Sequence, residues 1–502
     1  MFKNIILIIL AIIILLVPDF IIALNKTSEI FFISILYKIF FFLGLSSIIL
    51  FFLKSFYKTY LFVGTIYIIS SLTEIITVII FKNYSTLDNI KAIFFVRVNE
   101  IQGFASGFYM YLLLPFFVLV GFLFFSKRIK KINYSISKKK LLLSSFIFFL
   151  FSIALSFYLI SKTPIIYSGK NIPKYLAKKY FIKQHPISFY YRTYELIISR
   201  IRYNKYIKVK EAFKFYVEDD TIQKPDNVVI VIGERTRYKN WSINGYNRRT
   251  SPNLDTIQNL ISFNNHHSNG NSTAGSIPFL LTQGTPKKPS RIYSQKTFVS
   301  LFKEANYKTY WIANQFMFDY IEHDKEPDVF INLYSKTNLT DLDVLPVFDS
   351  ILNIKEPYKK LIVVNLSGGH GKIPIEFNKF KPYTNSENHG ISEENKEKII
   401  NGYDNMILLQ DHVIGNIIES SKNKNNSTFV LFTADHGTNL FDSKNQNLFG
   451  YGSMNPTKNE TNVPLFIWSS NSFLKLNLDK INNLNNRTNL LTTNDNIFYT
   501  IA

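Results

Sequence analysis

Four short segments hold residue types that could do chemistry together. The apolar run Val228-Val229-Ile230-Val231-Ile232 ends in Gly233-Glu234-Arg235; Leu361-Ile362-Val363-Val364 leads to Ser367-Gly368-Gly369-His370-Gly371; and Phe429-Val430-Leu431-Phe432 ends in Thr433-Ala434-Asp435-His436-Gly437. Three run ends thus deliver one Glu, one Asp and two His. Carboxylate oxygen with imidazole nitrogen suits zinc in a catalytic site, where an incomplete protein shell leaves room for substrate; manganese is the second choice. The fourth segment, Asn271-Ser272-Thr273-Ala274-Gly275-Ser276-Ile277-Pro278-Phe279, sets hydroxyls beside Ala and Gly at a helix start. That offers a nucleophile backed by free backbone N–H groups and the positive helix end, a good place for a phosphate. Each piece also has an ordinary reading. Glu234 reads as a surface or helix-start acid, His370 as a turn residue, Asp435-His436 as a chance pair, and the hydroxyls as a helix cap. Their common placement favours the joint reading, because ligands gather beyond the carboxyl ends of strands in open α/β sheets.

The elements that must position these residues follow from pattern. Continuous β-branched runs separated by helix-length stretches are the signature of buried parallel strands, so an α/β domain with a mainly parallel sheet is expected after Pro225. Before it, 161–224 is mixed and basic, with aromatics spaced among lysines as in Lys174-Tyr175-Leu176-Ala177-Lys178-Lys179-Tyr180-Phe181 and Tyr206-Ile207-Lys208-Val209-Lys210. That suits amphipathic helices lying on a membrane face.

The first third holds five apolar runs, 5–24, 30–53, 60–81, 108–125 and 141–160, each close to the ~20 residues a helix needs to cross the hydrocarbon core. The first is read as a retained helix, since no small-residue cleavage site follows it. Two acids fall within these runs, Asp19 after Pro18 and Glu74, with Lys38 in the second run as a partner for either; Asp19 is expected near the headgroups, and Glu74 sits deeper, as a structural pair or a lipid-headgroup contact. Lys127-Arg128-Ile129-Lys130-Lys131 and Lys138-Lys139-Lys140 make the loop between the fourth and fifth runs the densest in bases, so it should be cytoplasmic and everything after residue 160 exported.

Composition narrows the chemistry. The chain has 502 residues and no cysteine, which removes disulfides, thiolate catalysis and thiolate metal sites, so any metal must be held by His, carboxylates, hydroxyls or carbonyls. With 47% hydrophobic residues, wholesale disorder is excluded. The net charge of +21 crowds beside apolar runs, which points to membrane topology and anionic lipid rather than nucleic acid.

In order, these segments resemble a family. Val231-Ile232-Gly233-Glu234-Arg235-Thr236-Arg237, followed by Asn244-Gly245-Tyr246-Asn247-Arg248-Arg249-Thr250-Ser251-Pro252-Asn253-Leu254, is similar to the opening of the phosphoethanolamine transferases of the alkaline phosphatase/sulfatase superfamily. Thr273-Ala274-Gly275-Ser276-Ile277-Pro278 resembles their nucleophile segment, Gly402-Tyr403-Asp404-Asn405 with Asp411 their central helix, and Ala434-Asp435-His436-Gly437 their metal segment. The resemblance implies a five-helix transmembrane domain (1–161), a membrane-surface amphipathic linker (162–224) and an exported sulfatase-like α/β catalytic domain (225–502). It implies zinc held by Glu234, Thr273, Asp435 and His436, with Thr273 as the catalytic nucleophile and His370 close to the transferred phosphate. Phosphatidylethanolamine is the implied donor and lipid A or another envelope glycan the acceptor, at a bacterial inner membrane with the catalytic part in the periplasm.

Three departures accompany the resemblance. Where many relatives have a second histidine in a His-Gly pair before a closing Val-Pro strand, this chain reads Phe449-Gly450-Tyr451-Gly452-Ser453-Met454-Asn455-Pro456 ahead of Val463-Pro464. The disulfides frequent in relatives are impossible here. The final stretch, Asn494-Asp495-Asn496-Ile497-Phe498-Tyr499-Thr500-Ile501-Ala502, resembles a helix that continues in the family, so a truncated product is one expectation. Sulfate-ester chemistry needs Cys or Ser in a Cys/Ser-x-Pro-x-Arg context, whereas Ser276-Ile277-Pro278 is followed by Phe279-Leu280. The remaining rivals are a glycerophosphate transferase of the lipoteichoic-acid-synthase type, which would use phosphatidylglycerol, and an inactive membrane-anchored scaffold.

Overall fold

The computed structural model describes residues 2–24, 28–81, 84–87, 89–90, 98–133, 136–161, 184–218, 224–315, 323–334, 340–355, 357–368, 380–384, 393–422, 426–441, 449–453 and 455–502. His370 lies outside them, as does 162–183, most of the expected surface linker. The chain divides into two compact units, Met1–Ile198 and Ser199–Ala502.

The first unit is helical: α1 (Phe2–Leu15), α2 (Val17–Ala23), α3 (Ser28–Leu53), α4 (Phe56–Phe81), α5 (Val98–Ile129) and α6 (Lys138–Ser161), with the unit boundary falling inside α7 (Ile187–Ala212). The expected single first helix is broken. α1 and α2 meet at 69°, and Pro18 occupies the first turn of α2, where a residue without an N–H and with a bulky ring is tolerated but cannot continue the preceding helix. Among the described residues three helices are long and apolar enough to cross a membrane, Ile35–Leu53, Phe56–Ile79 and Lys138–Tyr158, and the bent pair makes a fourth. The expected run 108–125 lies inside α5, whose described side chains begin at Leu113. Leu15, Leu16, Val63, Tyr67, Ile75 and Val118 form the interior of this unit, while Phe116, Phe146 and Phe157 stay exposed, as lipid-facing residues would.

Both intramembrane acids are buried and partnered. Asp19, expected near the headgroups, is 2% exposed; it accepts hydrogen bonds from Tyr84 Oη at 2.6 Å and His185 Nδ1 at 2.8 Å and pairs with Lys38 Nζ at 3.2 Å. Glu74 accepts from Ser188 Oγ at 2.6 Å, the Ser85 amide at 2.7 Å and Thr77 Oγ1 at 3.2 Å. A carboxylate removed from water persists only with such partners.

The second unit is built on strands β1 (Asn227–Gly233), β2 (Leu260–Ser262), β3 (His266–His267), β4 (Tyr307–Ala313), β5 (Val329–Asn332), β6 (Lys359–Asn365), β7 (Thr428–Ala434), β8 (Asn439–Leu440), β9 (Phe449–Gly450), β10 (Leu465–Ser469) and β11 (Thr492–Thr493). Seven form one sheet in the order β2-β10-β7-β1-β6-β4-β5; β10 runs antiparallel to both its neighbours and the rest are parallel. The three runs read from sequence are β1, β6 and β7, the centre of the sheet. Side chains alternate between faces, and here both faces are covered. Val228, Ile230 and Ile232 pack with Leu280 and Phe298 from helices α8 (Thr273–Leu281) and α9 (Phe298–Glu304). Val229 and Val231 pack with Phe348 and Ile414 from α10 (Val344–Asn353) and α11 (Lys396–Lys422).

Candidate metal centre

The register of the sheet brings two acids together. β1 and β7 are parallel neighbours with Gly233 opposite Ala434, so the next residues, Glu234 and Asp435, leave the sheet side by side, each 1% exposed. Arg235 then turns with φ 56°, a left-handed conformation that costs a non-glycine residue about 1–2 kcal/mol. The turn aims its amide at Asp435 Oδ1, 3.0 Å away, and the His436 amide reaches the same oxygen at 2.6 Å. Asp435 Oδ2 is left buried with no hydrogen-bond partner.

His436 completes the group. Its Nδ1 lies 2.8 Å from the Gly437 carbonyl, which accepts only if that nitrogen carries a proton, so Nε2 is the ring atom turned to the carboxylates and the one that would face a cation. Nε2 is 3.4 Å from Glu234 Oε1 and 3.4 Å from Asp435 Oδ2, and ligand atoms of the three side chains all lie within 4.8 Å of one another. The electrostatics are those of a site built around a cation. Burial, then the charge of Glu234, drives the Asp435 carboxyl well above the usual carboxylate range. Burial lowers the His436 imidazole, but Asp435 and then Glu234 outweigh it and push the group up to about 9. Two buried carboxylates, one oxygen without a partner and a correctly oriented imidazole fit a divalent cation such as zinc.

Thr273 is the first residue of α8, not its cap. Ser272 occupies the cap position without a side-chain hydrogen bond. Thr273 Oγ1 lies 3.1 Å from Glu234 Oε2 and 3.4 Å from His436 Nε2. The four residues expected to surround a metal therefore converge, and the hydroxyl stands at a helix N-terminus whose first amides lack intrahelical acceptors.

Several supporting residues carried no sequence signal. Gln315, two residues beyond β4, donates from Nε2 to Glu234 Oε2 at 2.6 Å and orients that carboxylate. Asp341 accepts from the Ser367 amide at 2.7 Å and the Gly368 amide at 2.9 Å, turning the chain as it leaves β6. Gly368 has φ 42°, and a Cβ there would stand 2.5 Å from the Glu234 carbonyl oxygen, so this close pass requires glycine. Tyr451, in the stretch without the expected His-Gly pair, lays its ring 4.2 Å from that of His436. Its loop is tied to the Thr273 segment by Gly452 N to Asn271 O at 2.8 Å and by Asn271 Nδ2 to the Ser453 carbonyl at 2.9 Å.

The α11 residues hold the loop after β1 in place. Tyr403 Oη donates to the Arg235 carbonyl at 2.9 Å and accepts from the Arg237 amide at 2.9 Å. Asp404 accepts from Asn240 Nδ2 at 2.6 Å and Tyr246 Oη at 2.9 Å, and pairs with the Arg248 guanidinium at 2.8 Å. Asp411 accepts from the amides of Asn253 and Leu254, each at 2.9 Å; burial nevertheless pushes its carboxyl up to about 6.

Comparison with known proteins decides the family: the sulfatase family model matches residues 226–502. The chain belongs to the sulfatase family. Relatives include the phosphoethanolamine transferase EptC of Escherichia coli K12, 31% identical over 270 residues that cover 50% of this chain and 46% of that protein. Another is the phosphoethanolamine transferase EptA of Helicobacter pylori, 26% identical over 49% of this chain and 48% of that one. The chain thus spans about half the length of the curated relatives it matches. The integral membrane lipooligosaccharide phosphoethanolamine transferase A of Neisseria meningitidis superposes with a TM-score of 0.71 over 94% of this chain and 86% of that one, at 18% identity, a likeness of fold. The resemblance drawn from the motifs is borne out.

Proposed function

We propose that this protein transfers phosphoethanolamine from phosphatidylethanolamine, through a phosphothreonine intermediate on Thr273, to a cell-envelope acceptor such as lipid A or lipopolysaccharide core. The observation that carries the reading is the convergence of the Thr273 hydroxyl on Glu234 and His436 at a helix N-terminus. Sulfatase-family membership is a statement about fold and site, and the residues after Ser276 do not fit formylglycine chemistry.

Glu234, Asp435, His436 and Thr273 would hold zinc, with manganese the second choice. When bound, the cation supplies positive charge that lowers the pKa of a neighbouring hydroxyl and offsets charge on phosphoryl oxygens. In the first half-reaction Thr273 Oγ1 attacks phosphorus, the bond from phosphorus to the glycerol oxygen breaks, and diacylglycerol leaves after taking up a proton. The hydroxyl proton has an acceptor at Glu234 Oε2, which Gln315 keeps in place. In the second, an acceptor oxygen attacks the same phosphorus and Thr273 regains its proton. The amides opening α8 face the phosphoryl oxygens, and His370 is assigned to the phosphate side.

Five crossings within 1–161, a surface linker over 162–224 and an exported catalytic domain over 225–502 set the site beside lipid donor and lipid acceptor at a bacterial inner membrane. The dense basic loop between α5 and α6 supports that orientation. The test is turnover by detergent-purified protein with zinc and labelled phosphatidylethanolamine. Diacylglycerol release that Thr273→Ala abolishes is expected. Release from phosphatidylglycerol instead would move the protein to the glycerophosphate class, and release from neither, with zinc bound, would leave the scaffold.

A further inference from the structure

In the helical unit, the second half of α1, the starts of α4 and α6 and the last turns of α3 and α5 surround a cavity of about 370 Å³. Its walls are apolar, with Ala11, Phe42, Leu50, Phe56 and Phe148 among them. Polar side chains interrupt them, Ser46, Ser47, Tyr60 and Ser144 among them, and two of the polar groups bear on what the cavity could hold. Thr59, 5% exposed, lines the cavity with a hydroxyl that has no hydrogen-bond partner. Lys140 lines it from the start of α6, with its side chain exposed.

Charge near the cavity is one-sided. The described segments around it, 2–16, 43–66, 115–133 and 136–150, contain ten Lys and Arg and no Asp or Glu. Several of these cations lie over rings at the helix ends, Lys138 over Phe51 at 5.5 Å, Lys130 over Tyr57 at 5.8 Å and Arg128 over Phe124 at 5.1 Å. Such contacts leave the charge uncompensated. An apolar slot, a buried hydroxyl in need of an acceptor and a cation beside it match, in turn, an acyl chain, a glycerol ester carbonyl and a phosphate. Basic pockets between membrane helices on the cytoplasmic side bind anionic headgroups for this reason.

We propose that this cavity is a binding site for one anionic diacyl phospholipid, with an acyl chain among the helices and the phosphate on Lys140. The site is built from the helical unit alone and is independent of the transfer reaction. Thr59 donates to the ester region, and the surrounding bases select a net-negative headgroup over a zwitterionic one.

The test is native mass spectrometry of the full chain in detergent, titrated with phosphatidylglycerol and, separately, with phosphatidylcholine. One retained phosphatidylglycerol, bound more tightly than phosphatidylcholine, is expected. Lys140→Gln should weaken it about fivefold, the change that about 1 kcal/mol per basic residue corresponds to. Lys3→Gln, on an exposed base outside the lining, should change it far less. Ser46→Phe, which fills the cavity from α3, should abolish retention; if that variant does not fold, the two lysine variants decide. Equal retention of both lipids, or equal effects of the two lysine variants, would overturn the site in favour of general attraction to the basic face.

Discussion

Replacing Asp435 by Asn should move the stability of the metal-free and metal-loaded protein in opposite directions. Without metal, the ionised Asp435 carboxylate is buried beside Glu234, and its Oδ2 has no hydrogen-bond partner, only the His436 imidazole 3.4 Å away. Burial and the neighbouring charge raise its pKa, so ionisation at neutral pH works against the fold, and an isosteric amide relieves it. With metal, the same substitution removes one of two anionic ligands. Even the loss of an outer hydrogen bond to a metal ligand costs about 10–100-fold in affinity, and a directly coordinating charge sits at the upper end of that scale or beyond. If free zinc is at 100 times the dissociation constant of the parent protein, binding stabilises the fold by about 2.7 kcal/mol. A 100-fold weaker site retains only about 0.4 kcal/mol under the same conditions. For a domain of this size the difference is a shift of several degrees in Tm. Thermal unfolding of full-length protein, stripped and zinc-loaded, gives all four numbers. The prediction is a higher Tm for Asp435→Asn than for the parent when stripped, and a zinc-induced rise that largely disappears in the variant. Equal zinc-induced shifts would refute the metal assignment, and a lower Tm for the stripped variant would refute the charge argument.

Three further outcomes follow from single contacts. Gln315→Ala removes the 2.6 Å bond that orients Glu234, so zinc affinity measured by competition with a chelator should fall about 10–100-fold with the fold intact. His266 is fully buried, and burial drives its imidazole down to about 4, against about 6.5 when exposed. Its stabilising contribution is therefore complete above pH about 6.5 and is lost as pH falls towards 4, about 3 kcal/mol in all; His266→Gln should flatten the chemical-denaturation midpoint across that window. Asp411→Ala strips an acceptor from the half-buried amide of Asn253 and the buried amide of Leu254 and should cost about 2 kcal/mol by the same assay, at about 1–3 kcal/mol for a buried donor left unsatisfied.

What the sequence disclosed depended on whether a signal was local. β1, β6 and β7 are uninterrupted apolar runs because both faces of the central sheet are covered, so their ends, with Glu234, Asp435 and His436, stood out. β4 reads Tyr307-Lys308-Thr309-Tyr310-Trp311-Ile312-Ala313, a mixed strand with no such signature; missing it hid Gln315, a neutral amide that becomes informative only when its strand is seen beside β6. The antiparallel course of β10 depends on pairing with β7 and β2, which no local pattern records. Pro18 was visible, yet whether a proline bends or breaks a helix is decided by packing around it, and here the helix breaks. Lys38 was visible as a partner for an acid in the apolar runs, but the other two partners of Asp19, Tyr84 and His185, lie 65 and 166 residues away and left no local signal.

The central claim is that Thr273 carries the phosphoryl group. Its most direct test is peptide mass spectrometry of the zinc-loaded, detergent-solubilised protein after incubation with phosphatidylethanolamine and no acceptor, with Thr273→Ala alongside. The account predicts a phosphoethanolamine adduct on the peptide containing Thr273 and none in the variant. An adduct elsewhere, or a Thr273→Ala protein that still releases diacylglycerol, would contradict it.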